Sequence, residues 1–254
     1  MKRKFMLAKQ RIERTIVIFG ICLLVSNYGT QTREATKPKS QKKHVIIWTD
    51  ARTGSTFLAD LLSRIKSTYY ISEPINTLVG LFPNSSLGKI GKLTEFLKRI
   101  ILCEFSKPKW YWEKYRRERQ YENVPLRDLY RDKSLDPLWS TSSSEEMICK
   151  ASDVVLTKQI VVPIKQSLLI LKDTSLNPYI LHLVRDPRSV LSSRQNMEER
   201  GVKIHPNLLN TTLMCKNMKE NLHQVEIIKE QFPKRYFLVR YEDLTRDTEV
   251  TILK

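Results

Sequence analysis

Two segments of this 254-residue chain each combine a short apolar run, a tight turn and the start of a helix. They cover residues 44–58 and 180–194. A helix start offers unpaired backbone N–H groups and the positive end of the helix dipole, so such a unit can bind a phosphate group. Because both turns carry arginine, we expect a ligand with two separated anionic groups, bound by pockets at separate edges of a sheet.

Apolar runs and helical patterns alternate along the rest of the chain. This alternation predicts an α/β fold with a parallel sheet flanked by helices. The predicted strands cover 44–48, 67–72, 154–162, 179–184 and 236–241, and the predicted helices cover 56–65, 164–171 and 211–231. In the last helix, one side is expected to be apolar: Met214, Met218, Leu222, Val225 and Ile228. The aromatic and basic segment 110–117 is typical of an amphipathic helix or, alternatively, of a surface for sugars or polyanions.

The formal net charge of +17 favours anionic partners. Neither zinc-finger spacing nor an aromatic RNP sequence is present, so we do not expect nucleic acid as a partner. A polyanionic sugar, a nucleotide or an acidic membrane surface fits the charge equally well.

Four cysteines are present and none forms a CxxC pair, which argues against a zinc site: Cys22, Cys103, Cys149 and Cys215. Cys22 lies in an apolar run. The other three are an odd number, so an oxidising compartment predicts a free thiol, an intermolecular bridge or a partner outside the chain. Three reduced cysteines are the alternative.

The N-terminal region has the pattern of a membrane anchor. Residues 1–14 are a basic tail, residues 15–32 are an uncharged signal anchor with an apolar centre, and residues 33–43 are a stem. The tail carries slightly more positive charge than the stem, which predicts a cytosolic tail and a lumenal domain over residues 44–254. Sequons at Asn84 and Asn210 agree with lumenal glycosylation. A cleaved signal peptide is the alternative.

The first turn departs from the phosphate-binding loop of nucleotide triphosphatases, G-x-x-x-x-G-K-[ST]. Only Gly54-Ser55-Thr56 is present, and the basic residue, Arg52, precedes the glycine. A magnesium-dependent kinase is therefore disfavoured, and no metal is expected.

Taken together, these segments resemble the Golgi carbohydrate 6-O-sulfotransferases, which sulfate galactose, N-acetylglucosamine or N-acetylgalactosamine. The resemblance rests on residues 52–57, 72–74, 183–194 and 239–244, in the family's order, and covers about residues 44–254. It implies a sulfotransferase fold and the donor 3′-phosphoadenosine 5′-phosphosulfate. It also implies a keratan- or chondroitin-type acceptor, or an N- or O-glycan, and a single-pass type II Golgi membrane protein with a lumenal catalytic domain.

The resemblance also implies roles for individual residues. Glu73 would act as the general base that takes the proton of the acceptor hydroxyl. Arg52 would neutralise charge on the leaving oxygen. The donor would be held at its 5′-phosphosulfate by Arg52, Thr53, Gly54, Ser55, Thr56 and Phe57, and at its 3′-phosphate by Arg185 and Ser193.

Other residues have more ordinary interpretations. Lys158 either reaches the donor sulfate or is solvated. Arg188 and Arg194 face solvent or pair with acids. His182 is expected to pack in the core. The segment 241–243 is expected to end a strand and to take no part in the chemistry.

The chain departs from the family pattern at two places. Thr77 stands where many members have a histidine, which concerns acceptor recognition. Members also continue beyond the position of Lys254, so we expect the C-terminal part of the domain to be missing. The alternatives are an inactive homologue that binds donor or glycan, and a membrane-tethered module that binds polyanions. Homo-oligomer formation is left open.

Overall fold

The structure, a computed structural model, describes residues 42–76, 90–105, 111–115, 142–160 and 162–253. The predicted tail and anchor, nearly all of the stem, and the positions of Thr77 and Asn84 lie outside these residues. Within the described ranges, no helix combines the length and the apolar character that crossing a bilayer requires.

A sheet of parallel strands forms the centre of the domain, in the order β2-β3-β1-β4-β5. The strands are β1 (Lys43–Thr49), β2 (Thr68–Ser72), β3 (Val154–Gln159), β4 (Tyr179–Val184) and β5 (Tyr236–Arg240). In the middle strand, Trp48 lies opposite Gln159 of β3 and His182 of β4. This strand is a continuous apolar run that is buried on both faces, as is usual for a central parallel strand. The predicted parallel sheet is confirmed.

Helices cover both faces of the sheet. Alternate residues of β1 point to opposite faces: Val45 and Ile47 pack in one core cluster, and Ile46 and Trp48 pack in another. The helices are α1 (Ser55–Ser63), α2 (Ile90–Ile101), α3 (Ser142–Ala151), α4 (Ser167–Leu171), α5 (Pro187–Glu199), α6 (Thr211–Gln231), α7 (Tyr241–Arg246) and α8 (Thr248–Leu253). Short 3₁₀ turns at Ile164–Gln166 and Pro206–Leu208 precede α4 and α6.

Several element boundaries differ from the sequence-based predictions. β3 ends at Gln159 rather than at Val162, and the chain then runs to the 3₁₀ turn after Pro163. β5 ends at Arg240, because the next residue already begins α7. Leu222, predicted on the buried side of α6, is exposed. This helix meets the core through a narrower stripe than predicted, formed by Met214, Val225 and Ile228.

A disulfide joins Cys103, just after α2, to Cys149 in α3. Cys215 is an exposed free thiol, so the chain contains both a disulfide and the free thiol expected from the odd count. Residues 111–115 are helical, and their aromatic side chains are buried beside the disulfide: Tyr111, Trp112 and Tyr115. The amphipathic-helix interpretation of segment 110–117 is therefore confirmed for residues 111–115.

Candidate active site

The two turns identified in the sequence lie side by side at the carboxyl ends of the strands. We call residues 50–56 the first turn and residues 185–193 the second turn. They follow β1 and β4, which are paired neighbours. The expectation of separate sheet edges is wrong, because all strands of a parallel sheet end at the same edge, where ligands of α/β proteins commonly bind.

Side chains of the two turns are in direct contact. Arg185 Nη1 donates to the carbonyl oxygen of Arg52 at 3.2 Å. Arg52 Nε in turn donates to Ser193 Oγ at 3.1 Å. Residues predicted to bind opposite ends of the donor are thus within reach of a single small molecule.

The backbone of the first turn is tightly wound. Arg52 and Gly54 both have left-handed conformations, with φ of 74° and 93°. Thr53 is buried, and its hydroxyl donates to the Asp50 carbonyl oxygen at 2.9 Å and bonds to the hydroxyl of Thr49. Thr49 also donates to the carbonyl oxygen of Leu183 at 2.8 Å, which ties the turn to β4.

The end of the first turn is the start of α1. The first N–H groups of a helix have no partner inside the helix, and here they include those of Ser55 and Thr56. The N–H of Phe57 already donates to the Gly54 carbonyl oxygen at 3.0 Å, and the Phe57 side chain packs against the core. Ser55 and Thr56 are therefore better placed than Phe57 to donate to an anion.

Tyr241, the first residue of α7, packs directly on Gly54. A Cβ atom at position 54 would overlap the Cδ2 and Cε2 atoms of the Tyr241 ring. The Arg185 guanidinium lies over the same ring, with Cζ 4.4 Å from its centroid, in a cation–π contact. Tyr241 therefore supports both turns, which the sequence analysis missed because it assigned segment 241–243 no role in the site.

The second turn stabilises itself locally. Asp186 is the N-cap of α5: its side chain accepts from the Arg188 backbone N–H, and Pro187 occupies the first helical position. The Arg188 side chain is exposed and pairs with the same carboxylate. Hydrogen bonds from Arg188 lower the pKa of Asp186 to about 2. The Asp186 backbone N–H donates to Glu242 Oε1 at 2.9 Å, a second contact from segment 241–243.

Glu73 and Lys158 form a buried ion pair beside the first turn. Glu73 follows β2 with a left-handed backbone at φ 49°, a conformation that is uncommon outside glycine and is concentrated at functional sites. Lys158 Nζ lies 3.0 Å from Glu73 Oε1 and donates to Thr56 Oγ1 at 3.3 Å. Because Lys158 is only 1% exposed, its interpretation as a solvated lysine is wrong. The second oxygen of Glu73 accepts from Asn76 Nδ2 at 3.1 Å.

Arg194 is buried rather than exposed to solvent. It donates to the carbonyl oxygen of Ala51 from Nη2 at 3.0 Å and from Nε at 3.3 Å, and to that of Leu208 from Nη1 at 2.7 Å. Asp50 is the nearby acid. Burial raises the pKa of the Asp50 carboxyl, and the charge of Arg194 opposes this increase. The expectation that Arg194 faces solvent is therefore wrong.

Other predicted residues lie away from the two turns or carry no contact that defines a role. His182 is buried, and its Nδ1 lies 2.5 Å from the Tyr236 hydroxyl, which confirms a packed core histidine. Burial lowers the pKa of His182 to about 4.

Asn210 is exposed, and its side chain caps α6 by accepting from the Leu213 N–H at 2.9 Å. Over the described ranges, no cluster of His, Cys, Asp and Glu has the arrangement of a metal site.

Sequence comparison relates this chain to sulfotransferases. The sequence model described as "Sulfotransferase family" matches residues 45–254. Carbohydrate sulfotransferase 4 of Mus musculus is 26% identical over 91% of this chain and 68% of its own length. Carbohydrate sulfotransferase 5 of Homo sapiens is 24% identical over 89% of this chain and 63% of its own length. Carbohydrate sulfotransferase 1 of Mus musculus is 23% identical over 82% of this chain and 61% of its own length. The chain thus spans about two thirds of the length of these relatives.

Among solved structures, the sulfotransferase domain of the olefin synthase from Synechococcus PCC 7002 is similar. The TM-score is 0.44 at 18% identity, and the match covers 87% of this chain and 74% of that chain.

Proposed function

The chain belongs to the sulfotransferase family, and we propose on this basis that it transfers sulfate from 3′-phosphoadenosine 5′-phosphosulfate to a 6-hydroxyl of galactose, N-acetylglucosamine or N-acetylgalactosamine in a glycan. The observation that carries the proposal is the contact between the two turns through Arg185, Arg52 and Ser193. This contact links two helix starts at one sheet edge, and a helix start is a structure that can bind an anion. The names of the matched carbohydrate sulfotransferases support the glycan acceptor.

In this proposal the first turn binds the 5′-phosphosulfate. The N–H groups of Ser55 and Thr56 point along the helix dipole, whose positive end attracts the anion. The hydroxyls of Ser55 and Thr56 donate further hydrogen bonds. Arg52 adds a full positive charge close to the oxygen that bridges phosphorus and sulfur. That charge matters most when the bridging oxygen becomes negative as sulfate leaves.

The second turn then binds the 3′-phosphate. Arg185 offers a planar guanidinium that can donate two parallel hydrogen bonds to a phosphate. Its stacking on Tyr241 holds the guanidinium in place, which reduces the entropy lost on binding. Ser193 Oγ already accepts from Arg52. A phosphate that takes over the contact with Ser193 would leave Arg52 available for the sulfate end.

The acceptor side of the reaction centres on Glu73 and Lys158. The acceptor oxygen attacks sulfur, the bond between sulfur and the bridging oxygen breaks, and the hydroxyl proton passes to Glu73. Lys158 joins this carboxylate to Thr56 of the first turn, so its charge lies between the base and the donor. We assign Lys158 the role of stabilising negative charge on the sulfate in transfer. Its burial keeps the charge out of water, where it would be screened.

We also propose that residues 15–32 anchor the enzyme in the Golgi membrane as a single-pass type II protein with residues 44–254 in the lumen. The Cys103–Cys149 disulfide supports this topology, because disulfides persist in the secretory pathway and are rare in the cytosol. The exposure of Asn210 is compatible with its glycosylation. Protease protection of microsomes tests the topology. Removal of N-glycans, with Asn84→Gln and Asn210→Gln as controls, tests the two sequons.

Transfer of radiolabelled sulfate to desulfated keratan- and chondroitin-type acceptors tests the activity. We expect Glu73→Gln to lower kcat by about 100-fold or more, because the proton acceptor is lost. The effect on the donor KM should be smaller and should arise from Lys158, which loses its carboxylate partner. Lys158→Met should lower kcat and also raise the donor KM. Glu199→Gln, which removes an exposed carboxylate at the end of α5, is the matched control and should change neither parameter.

The alternative functions give different outcomes in the same experiment. An inactive homologue would bind adenosine 3′,5′-bisphosphate in calorimetry without transferring sulfate. A polyanion-binding module would bind heparin and show no affinity for the bisphosphate. Transfer that survives Glu73→Gln at the wild-type rate would contradict the assignment of the base.

A further inference from the structure

Arg194 is a buried cation for which the proposed chemistry has no use. Its side chain is among the most enclosed charged groups of the described residues, with 4% of the residue exposed. All three guanidinium nitrogens donate to backbone carbonyl oxygens, namely those of Ala51 and Leu208. Removing a charge from water is costly unless hydrogen bonds replace the lost hydration. The three carbonyl contacts replace this hydration, and the nearby Asp50 carboxyl opposes the cost of burial.

The contacts of Arg194 connect three separate parts of the chain. Arg194 belongs to α5, the helix that begins in the second turn. Ala51 belongs to the first turn, 143 residues away in sequence. Leu208 closes the 3₁₀ turn that precedes α6. The guanidinium therefore fixes the first turn relative to the helix that carries the second.

Adjacent residues of α5 reach adjacent residues of the first turn. Ser193 contacts the side chain of Arg52, and Arg194 contacts the backbone of Ala51. Successive residues of a helix point about 100° apart, so the two side chains diverge. Ser193 is on the side where the donor would bind, whereas Arg194 is turned into the protein.

The hydrogen bonds from Arg194 to Ala51 can remain in place when a donor is bound. The side chains of Arg52, Arg185 and Ser193 are those that a phosphate would engage, so their mutual hydrogen bonds change when it binds. The hydrogen bonds from Arg194 to the Ala51 carbonyl oxygen involve no group assigned to the donor. They can hold the spacing of the turns both before and after binding.

We propose that Arg194 is a positioning residue that fixes the spacing between the two turns and thereby selects a nucleotide with anionic groups at both its 3′ and 5′ positions. The inference rests on the proposed function, because it assumes that each turn binds one end of the same molecule. When one end is bound, the local concentration of the other end at its own turn depends on how well the spacing is held. A loose spacing weakens binding of the whole molecule and leaves the binding of either end alone nearly unchanged.

Calorimetry with three nucleotides separates positioning from general stability. The ligands are adenosine 3′,5′-bisphosphate, adenosine 5′-monophosphate and adenosine 3′-monophosphate, and the variants are Arg194→Met and Arg194→Lys. We expect affinity for the bisphosphate to fall by about tenfold or more in Arg194→Met, and affinity for each monophosphate to change by less than about twofold. Arg194→Lys should recover little, because an ammonium group lacks the planar fork that serves two carbonyl groups.

Arg200→Met is the matched control, since it removes an exposed arginine at the end of the same helix. It should leave all three affinities unchanged. Equal losses for all three nucleotides in the Arg194 variants would reduce Arg194 to a structural role and overturn the inference. Unchanged affinity for the bisphosphate would also overturn it. A wild-type protein that binds no bisphosphate would instead refute the proposed function, so the two failures can be told apart.

Hydrogen exchange provides a readout that needs no ligand. We expect faster exchange of the Phe57 and Leu58 amides in Arg194→Lys, because both donate to the Gly54 carbonyl oxygen of a turn that loses its hydrogen bonds from Arg194. The amides in the middle of α6 should exchange as in the wild-type protein. Unchanged exchange of the Phe57 and Leu58 amides would contradict the inference. If Arg194→Met does not fold, the lysine variant carries both tests.

Discussion

The first and second turns reach similar positions at the sheet edge by different means. The second turn is stabilised by its own residues, through the Asp186 cap, the following proline and the Asp186–Arg188 pair. The first turn contains two left-handed residues, and its shape depends on Tyr241 and Arg194, which lie far away in sequence. The second anion site is thus encoded mainly by its own residues, with Tyr241 and Glu242 as its distant contacts, and the first is imposed by the tertiary structure.

The two turns should therefore respond differently to mutation. A change in the second turn should act mainly on the group that is replaced. A change in the first turn, or in the residues that support it, should disturb several backbone donors at once.

Gly54→Ala should have the largest effect. The new Cβ requires a left-handed alanine and overlaps the Tyr241 ring, so the turn or α7 must move. We expect donor affinity to fall by about 100-fold or more, and the melting temperature to fall as well, since the left-handed conformation alone costs about 1–2 kcal/mol. Calorimetry and thermal unfolding measure the two effects.

Gly201→Ala is a closely matched control for this substitution. Gly201 has a left-handed φ of 80°, but a Cβ atom there would meet no neighbouring atom. It should show the conformational cost in stability without a loss of donor affinity. Equal losses of affinity in the two variants would show that packing against Tyr241 does not matter.

Tyr241→Ala should have the next largest effect. It removes the ring that supports Gly54 and the cation–π contact with Arg185, which is worth about 0.5–2 kcal/mol. We expect donor affinity to fall by about tenfold. Tyr241→Phe keeps the ring and should stay within about threefold of the wild-type protein. A phenylalanine variant as weak as the alanine variant would assign the effect to the hydroxyl group and contradict the packing role.

The carboxylates of the two turns should differ in their dependence on pH. Burial raises the folded-state pKa of Asp50, so the folded protein binds this proton more tightly than the unfolded chain does. Its contribution to stability therefore decreases as pH rises from about 4 through the folded-state pKa. Asp50→Asn should raise the melting temperature at pH 7 and have little effect below about pH 4.

Asp186 should show the opposite sign. Its pKa is lowered from 3.8 to about 2 in the folded protein. The stabilisation is present above the ordinary pKa and is lost as pH falls through the folded-state value. Asp186→Asn should lower the melting temperature slightly at pH 7 and have no effect near pH 2. Melting curves of both variants between pH 2 and 7.5 measure the two effects. Changes in melting temperature of the same sign at pH 7 would contradict the difference between the two carboxylates.

Arg188→Ala should have the smallest effect. The side chain is 89% exposed, and an exposed pair such as Arg188–Asp186 contributes about 0–1 kcal/mol. We expect donor affinity to change by less than about twofold, whereas Arg185→Ala should lower it well beyond about tenfold. Similar losses in the two variants would show that general positive charge, rather than a built phosphate site, governs binding.

Much of the fold could be predicted from local patterns. Apolar runs located the five strands of the described sheet, and β4 and α6 have the predicted bounds. The two turns were recognised because their glycine, arginine and proline positions follow local rules for strand–turn–helix units. These are features that a short window of sequence contains.

The rest of the site depends on contacts between distant residues. The packing of Tyr241 on Gly54 and the burial of Arg194 against Ala51 follow from the order of strands in the sheet. The contact between the two turns likewise depends on the pairing of β1 with β4, which sequence order alone does not reveal. The pairing of Cys103 with Cys149 likewise follows from the placement of α2 and α3.

The most direct test of the account is a crystal structure of the protein with adenosine 3′,5′-bisphosphate. We predict a single molecule across the two turns, with its 5′-phosphate about 3 Å from the N–H groups of Ser55 and Thr56 and its 3′-phosphate about 3 Å from Arg185 and Ser193. Binding of the molecule at any other place, or contact of both phosphates with the same turn, would contradict the central claim that each turn holds one end of the donor.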